Sequence, residues 1–375
     1  SNLFIAEAQE DYGDLLQYEW PGEHGDTSLG WHTAGGPAPT TMDVLWQVND
    51  LGNPWSAFDG KVFTDKGYAL DAFTGEIIYQ TEGTSPTKLD DTYFVSGNSV
   101  YETATGLRAY GPYSVNIARL PMSSAYNSDL KMFWTRDSGS PIGVGNMLYG
   151  WDWPDISQEP TLAWATYISK GIGAGGSHVY ADGKIFTGNH EGTAMCLDGK
   201  TGNMLWETPV EGYIAYYGSY YDDRWVASCG EGIIYCFNAN TGEILWEFNP
   251  GIFYSFWGET GAIYDGVIYP VSNNYHTYAI DIYTGELLWD FKSTQGAGYQ
   301  THTVAAGGCV YAMTGRTGYL DPDTGMPFKD EYVCLDAKTG EVLWKTDRVI
   351  GGSGGGPPAV RNIIAYGNLY LAVDQ

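Results

Sequence analysis

Five segments of this chain obey one rule: an Asp or Asn, a Thr three residues later, then Gly, and an aromatic ring four residues after the Gly. They are LDAFTGEIIY (70–79), LDGKTGNMLW (197–206), FNANTGEILW (237–246), IDIYTGELLW (280–289) and LDAKTGEVLW (335–344). The side-chain oxygen of Asp71, Asp198, Asn238, Asp281 or Asp336 accepts turn N–H groups, and the Gly supplies a positive φ without a Cβ penalty. Each segment therefore predicts a corner between two strands. The short apolar run that follows ends in a large ring, whose burial contributes roughly 1.5–3 kcal/mol before entropy is counted.

Weaker copies of the last strand occur as DVLWQV (43–48), KMFWTR (131–136) and LAWATY (162–167). The expected aromatic anchors are Trp46, Tyr79, Trp134, Trp164, Trp206, Trp246, Trp289 and Trp344, one about every 40 residues. Short β runs such as HVYADG, KIFTGN and TAMCLD precede them, so each unit predicts four strands. Four-stranded units repeated radially are propeller blades. The expected fold is all-β: an eight-bladed propeller over 43–375 behind an N-terminal arm, 1–42. Trp46 lacks preceding strands and PAVRNIIAYGNLYLAVDQ (358–375) lacks an anchor, so joining the two ends is expected to complete the ring and remove its open edges.

The D-x-x-T-G-x-x-x-W pattern resembles the tryptophan-docking repeat of pyrroloquinoline-quinone-type eight-bladed propellers. The opening WPGEHGDTSLGWHTAGGPAPTTMDVLW (20–46) is similar to the lead-in of secreted prokaryotic members. The resemblance implies the fold and leaves the chemistry open. Dehydrogenases of this family hold calcium and quinone on the propeller axis and often cover the quinone with a disulfide between adjacent cysteines. Here Cys196, Cys229, Cys236, Cys309 and Cys334 are all separated, and pyrroloquinoline quinone is not expected. Non-enzymatic relatives, such as the lipoprotein scaffold for outer-membrane protein assembly, use the propeller surface to hold partners.

Composition narrows the partners. With 18 Lys+Arg against 45 Asp+Glu, the 375 residues carry a formal charge of −27, which excludes unaided binding to nucleic acid or an anionic membrane surface. No apolar run of about 18 residues is present, so direct membrane insertion is not expected. Acidity with 15% aromatic residues fits an extracellular or envelope-facing protein.

Aromatic residues are dense in the loops entering blades: NPW (53–55), EGYIAYYGSYY (211–221), GIFYSFWGET (251–260) and GAGYQTHT (296–303). These run from an outer strand to the next innermost strand and so are expected around one mouth of the channel. Trp55, Tyr216, Tyr217, Tyr254, Trp257, Glu259, Tyr299, His302 and Arg361 form the candidate ligand site, where rings supply area and polar groups fix orientation. The same rings serve equally to plug the channel. Asp321 and Asp323 read either as solvated charge or as ligands to calcium, which favours oxygen-rich loops.

Other motifs reduce to structure. GIGAGG (171–176) matches a dinucleotide fingerprint but precedes a strand, and GGSGG (351–355) lacks the strand-to-helix turn of a nucleophile elbow. Cys196, Cys236 and Cys334 stand where other units place Ala69 and Ala279 and read as small buried residues. Cys229/Cys236 and Cys309/Cys334 sit on neighbouring strands and read either as bridging pairs or, the favoured reading since sequence does not fix their register, as free buried thiols. No catalytic residue is assigned. The expected function is a binding scaffold for a protein or glycan partner. A quinone- or metal-dependent oxidoreductase, and a structural domain of a self-assembling cell surface, are the alternatives.

Overall fold

The computed structural model describes residues 2–6, 13–21, 35–115, 126–137, 146–169, 178–214, 218–251, 260–272, 276–292, 303–314, 331–346 and 362–372. They form an all-β propeller of seven antiparallel four-stranded blades, not the eight expected, together with one three-stranded sheet. Blade 1 consists of Pro54–Phe58, Lys61–Thr64, Tyr68–Asp71 and Ile77–Gln80. Blade 2 consists of Thr87–Lys88, Tyr93–Ser96, Ser99–Glu102 and Arg108–Tyr110. The three-stranded sheet follows with Met132–Asp137, Asn146–Asp152 and Thr161–Ser169.

Blade 3 holds Val179–Ala181, Lys184–Gly188, Thr193–Asp198 and Met204–Pro209. Blade 4 holds Ser219–Tyr221, Arg224–Ser228, Ile234–Asn238 and Ile244–Phe248. Blade 5 holds Ala262–Tyr264, Val267–Tyr269, His276–Asp281 and Leu287–Lys292. Blade 6 holds Val304–Ala306, Cys309–Thr314, Glu331–Asp336 and Val342–Lys345. Blade 7 draws on both ends of the chain: Asn362–Ala365, Asn368–Ala372, Asn2–Ala6 and Val44–Val48.

Local chemistry explains the hairpins. The first two strands of blade 3 turn at Asp182 (φ 48°) and Gly183 (φ 75°), the double positive φ whose twist matches that of paired strands. Third and fourth strands turn at the repeated corner. In blade 6, Asp336 Oδ1 accepts from Thr339 N (2.8 Å), Thr339 Oγ1 (3.0 Å) and Lys338 N (3.0 Å).

Apolar cores form between blade faces. Val226, Ile234, Cys236 and Trp246 of blade 4 pack on Ile263, Ile268, Ile280 and Ile282 at blade 5. Five of the tryptophan anchors donate to the carbonyl one residue after the corner Asp or Asn of the next unit. Trp46 reaches Ala72 O (3.1 Å), Trp164 reaches Gly199 O (3.2 Å), Trp206 reaches Ala239 O (3.0 Å), Trp246 reaches Ile282 O (2.8 Å) and Trp289 reaches Ala337 O (3.0 Å). Tyr79 does the same through its hydroxyl, to Thr103 O (2.6 Å).

That last contact exposes a corner the sequence reading passed over. Glu102 replaces the Asp, Thr105 Oγ1 donates to its carboxylate (2.8 Å), and Gly106 N closes the turn on Glu102 O (2.8 Å). Tyr110 pairs with Val100 as Tyr79 pairs with Ala69, so Tyr110 occupies the anchor position of blade 2. Trp134 is no outer-strand anchor. It is fully buried, stacks on Tyr180 at 4.1 Å and shares Gly199 O (2.8 Å) with Trp164 of its own sheet.

First strands of blades 3, 4, 5, 6, 7 and 1 are neighbours in that order. Val95 and Val100 of blade 2, with Leu89 and Tyr113 beside it, share a core with Phe133 of the three-stranded sheet and with Trp153, the residue after that sheet's second strand. Residues 2–6, within the segment expected as an arm, supply the third strand of blade 7, between Asn368–Ala372 and Val44–Val48. Further along, Trp20 exchanges both backbone hydrogen bonds with Ala57 (2.6 Å each) and Pro21 O accepts from Lys88 N (2.9 Å). Glu19 pairs with Lys88 Nζ at 2.5 Å, so this segment bridges the first strands of blades 1 and 2. No helix of the described residues is long and apolar enough to cross a membrane.

Candidate functional site

Strand alternation assigns the ends of every blade. Hairpins between first and second strands, and the repeated corners, lie on one face. Turns between second and third strands lie on the other, with the connections that enter the next blade. The aromatic loops therefore share the second face, the loop face.

Of the candidate ligand residues, the structure describes Trp55, which sits in the first strand of blade 1 and is 7% exposed. The loop before it is clamped: Asp65 accepts from Asn53 N and Asn53 Nδ2, both at 2.9 Å, and Asp65 N returns a bond to Asn53 O at 2.9 Å. Tyr216, Tyr217, Tyr254, Trp257, Glu259, Tyr299, His302 and Arg361 lie outside the described residues, as do Asp321 and Asp323.

The best described part of the loop face is the passage from blade 3 to blade 4. The His190 ring stacks on Tyr213 with centroids 4.8 Å apart, and Gly230 N donates to Tyr213 O (2.9 Å). Ile214 N donates to Asn189 O (3.0 Å), while the Asn189 side chain accepts from Glu191 N (3.0 Å) and Thr193 N (2.9 Å). The Cys229 thiol donates to Glu211 O at 2.8 Å. Four groups from two blades thus hold 211–214, the lead-in to Tyr216 and Tyr217. Neither His190 nor Tyr213 was singled out from sequence; their pairing joins residues of different blades and leaves no spacing signature.

A second histidine stands on the same face. His276 opens the third strand of blade 5, contacts the Asp290 carboxylate through Nδ1 and stacks on Tyr278 with centroids 5.6 Å apart.

The thiols are structural. All five are buried and unbridged, including the two pairs weighed as bridges. Cys196, Cys236 and Cys334 each face an anchor tryptophan across the strand pair, where a small side chain leaves room for the indole. Burial pushes the Cys196 and Cys236 thiols up to about 12, so they stay protonated near neutral pH. Burial likewise raises the Tyr235 hydroxyl, also to about 12. Among the described residues no group of three or more His, Cys, Asp or Glu side chains gathers to hold a metal. What the described loop face offers is aromatic area, hydrogen-bonded loops and exposed acids.

A family model described as outer membrane protein assembly factor BamB matches residues 133–216 and 215–328, together more than half of the chain. Similar solved structures include a computationally designed protein (TM-score 0.57, 14% identity, covering 95% of this chain and 100% of that one). Two quinohemoprotein alcohol dehydrogenases are also similar. The Comamonas testosteroni enzyme has a TM-score of 0.58 at 11% identity, covering 96% of this chain and 77% of that one. The Pseudomonas putida enzyme has a TM-score of 0.53 at 13% identity, covering 79% and 67%. These likenesses concern the fold. No curated protein sequence matches the chain. The matched repeats, their docking tryptophans and the all-β architecture agree, and the chain belongs to the propeller-repeat family described as outer membrane protein assembly factor BamB.

Proposed function

We propose that this protein is a non-catalytic binding scaffold, extracellular or facing the cell envelope, whose loop face holds a protein or glycan partner. The observation that carries this reading is the clamping of 211–214 by His190, Asn189, Cys229 and Gly230, because a loop fixed in advance loses little freedom on binding. The aromatic and acidic residues that follow, Tyr216, Tyr217, Tyr254, Trp257, Glu259 and Tyr299, are the recognition set. His302, Arg361 and Trp55 complete the mouth. The family description, an assembly factor, favours a protein partner and an envelope location.

The same reading takes the three-stranded sheet as an eighth blade and blade 7 as the ring's closure, in the secreted, non-dehydrogenase branch. The core shared across blade 2 and that sheet supports it. The fold likeness to quinohemoprotein enzymes favours a second reading, an oxidoreductase with quinone and calcium on the axis.

Thermal unfolding of metal-stripped protein distinguishes the readings. Calcium, quinone plus calcium, and an oligosaccharide panel are added in turn. A ligand at 100 times its Kd adds about 2.7 kcal/mol. The scaffold reading expects no extra stabilisation by quinone beyond calcium alone. A clear extra shift with quinone overturns it. A shift with a sugar that is lost in Trp257→Ala and Tyr254→Ala assigns the glycan.

A further inference from the structure

The outermost strand of each blade carries a device the repeat alone did not announce. In blade 3, Cys196 pairs with Trp206 but Leu197 pairs with Met204, so Leu205 is an extra residue bulged out of the ladder. The same irregularity isolates Ile78, Leu245, Leu288 and Leu343. A bulge bends the strand and re-aims the side chain, and these five side chains are 40–49% exposed. The residue before each of them, Ile77, Met204, Ile244, Leu287 and Val342, is exposed too. Edge strands are commonly protected by charge at such places. Here five blades present apolar pairs at one register beside the docking aromatic, hence at one height on the rim.

Most charged neighbours of these pairs are acidic, Lys345 in blade 6 being a basic exception. Glu76, Glu207, Glu243, Glu247, Glu286, Asp290 and Glu341 are exposed around them. A second copy of the chain would bring the same acids and another formal charge of −27 against the rim, which opposes self-association. An anionic membrane is opposed for the same reason. A ligand that satisfies the rim must combine apolar side chains with positive charge.

We propose that this rim is a docking surface for an extended cationic segment of a partner protein, alternating Lys or Arg with apolar residues. Its apolar side chains seat on the bulged leucine and isoleucine positions and its cations meet the flanking carboxylates. Repetition from blade to blade lets one segment, or several, engage more than one position, which raises avidity without new chemistry. The proposal concerns the circumference and does not rest on the loop-face reading.

The test uses a labelled synthetic peptide of alternating leucine and lysine, titrated with the full chain and followed by fluorescence anisotropy. Saturable binding is expected, with affinity falling about tenfold or more in the triple variant Leu205→Ser/Leu245→Ser/Leu288→Ser. The same fall is expected for a serine–lysine peptide on the unmodified protein. Equal binding by the triple variant, or by the serine–lysine peptide, overturns the proposal in favour of plain charge attraction. So does sedimentation in which the unmodified chain self-associates and the triple variant does not. Should the triple variant fail to fold, Glu243→Gln/Glu247→Gln/Glu286→Gln tests the charged half: weaker binding supports the proposal and unchanged affinity overturns it.

Discussion

Gly242 lies beneath the Trp206 ring of the preceding blade: a Cβ built on it would come within 2.6 Å of the indole. The indole meanwhile donates to Ala239 O at 3.0 Å. The corner's glycine thus does two jobs, a φ of +75° and a close approach between blades. Only the second depends on another part of the chain.

The two jobs separate by mutation. Gly183 has the same φ of +75°, but a Cβ there meets nothing within 4 Å. Gly183→Ala should cost about 1–2 kcal/mol, the penalty of a left-handed residue. Gly242→Ala should cost about 1–3 kcal/mol more, through overpacking against Trp206. Urea midpoints of the two variants check this, and equal losses would contradict the docking role.

Corner carboxylates make the fold acid-sensitive. The Thr339 N–H, aided by the Thr339 hydroxyl and Lys338, holds the Asp336 carboxyl below its ordinary range. A carboxyl depressed in the folded state stabilises above its unfolded pKa, about 4, and that stability is lost as pH falls through the lower folded value. Asp336→Asn should therefore lose less stability than the unmodified protein between about pH 4 and acid unfolding. The amide should hold the turn, because Asn238 in blade 4 accepts from Thr241 N at 3.0 Å. Melting temperatures measured across that range decide it.

Buried thiols work in the opposite direction. Cys196 and Cys236 are raised to about 12 by burial, so the folded state keeps protons that unfolded thiols release from about pH 8.5 upward. Their contribution is fully present below that value and declines as pH rises toward 12. Native protein at pH 8 should take up no iodoacetamide at these thiols, and protein unfolded in guanidinium should be alkylated at all five. Rapid native labelling of Cys196 or Cys236 would contradict their burial.

Loop presentation rests on a glycine in the opposite turn. A Cβ on Gly230 would fall 2.1 Å from the Tyr213 ring, which is already held against His190. Gly230→Ala should displace 211–214 while leaving the repeated corners intact. Near-ultraviolet circular dichroism should change more than the melting temperature, and any loop-face ligand should bind at least about tenfold more weakly. Unchanged ligand binding would remove this loop from the site.

What was legible in the chain was what short stretches decide by themselves. Asp, Thr and Gly within five residues make the corner, and the following ring names the strand that docks. The propeller, its anchors at Trp206, Trp246 and Trp289, and the small Ala or Cys opposite each were therefore open to reading. Glu102, Thr105 and Gly106 follow the same logic, and a search admitting Glu for Asp finds them. Trp134 misled because a buried ring in a short strand looks alike whether it docks outward or fills its own sheet. Asn2–Ala6 acquires its place only by pairing with Asn368–Ala372, more than 360 residues away. Likewise, His190 meets Tyr213, and the bulges expose Leu205 and Leu245, only once neighbouring strands set the register. Turn chemistry is local and is carried by the sequence; strand partners, the loop face and the exposed rim are products of long-range pairing, which the tertiary structure alone decides.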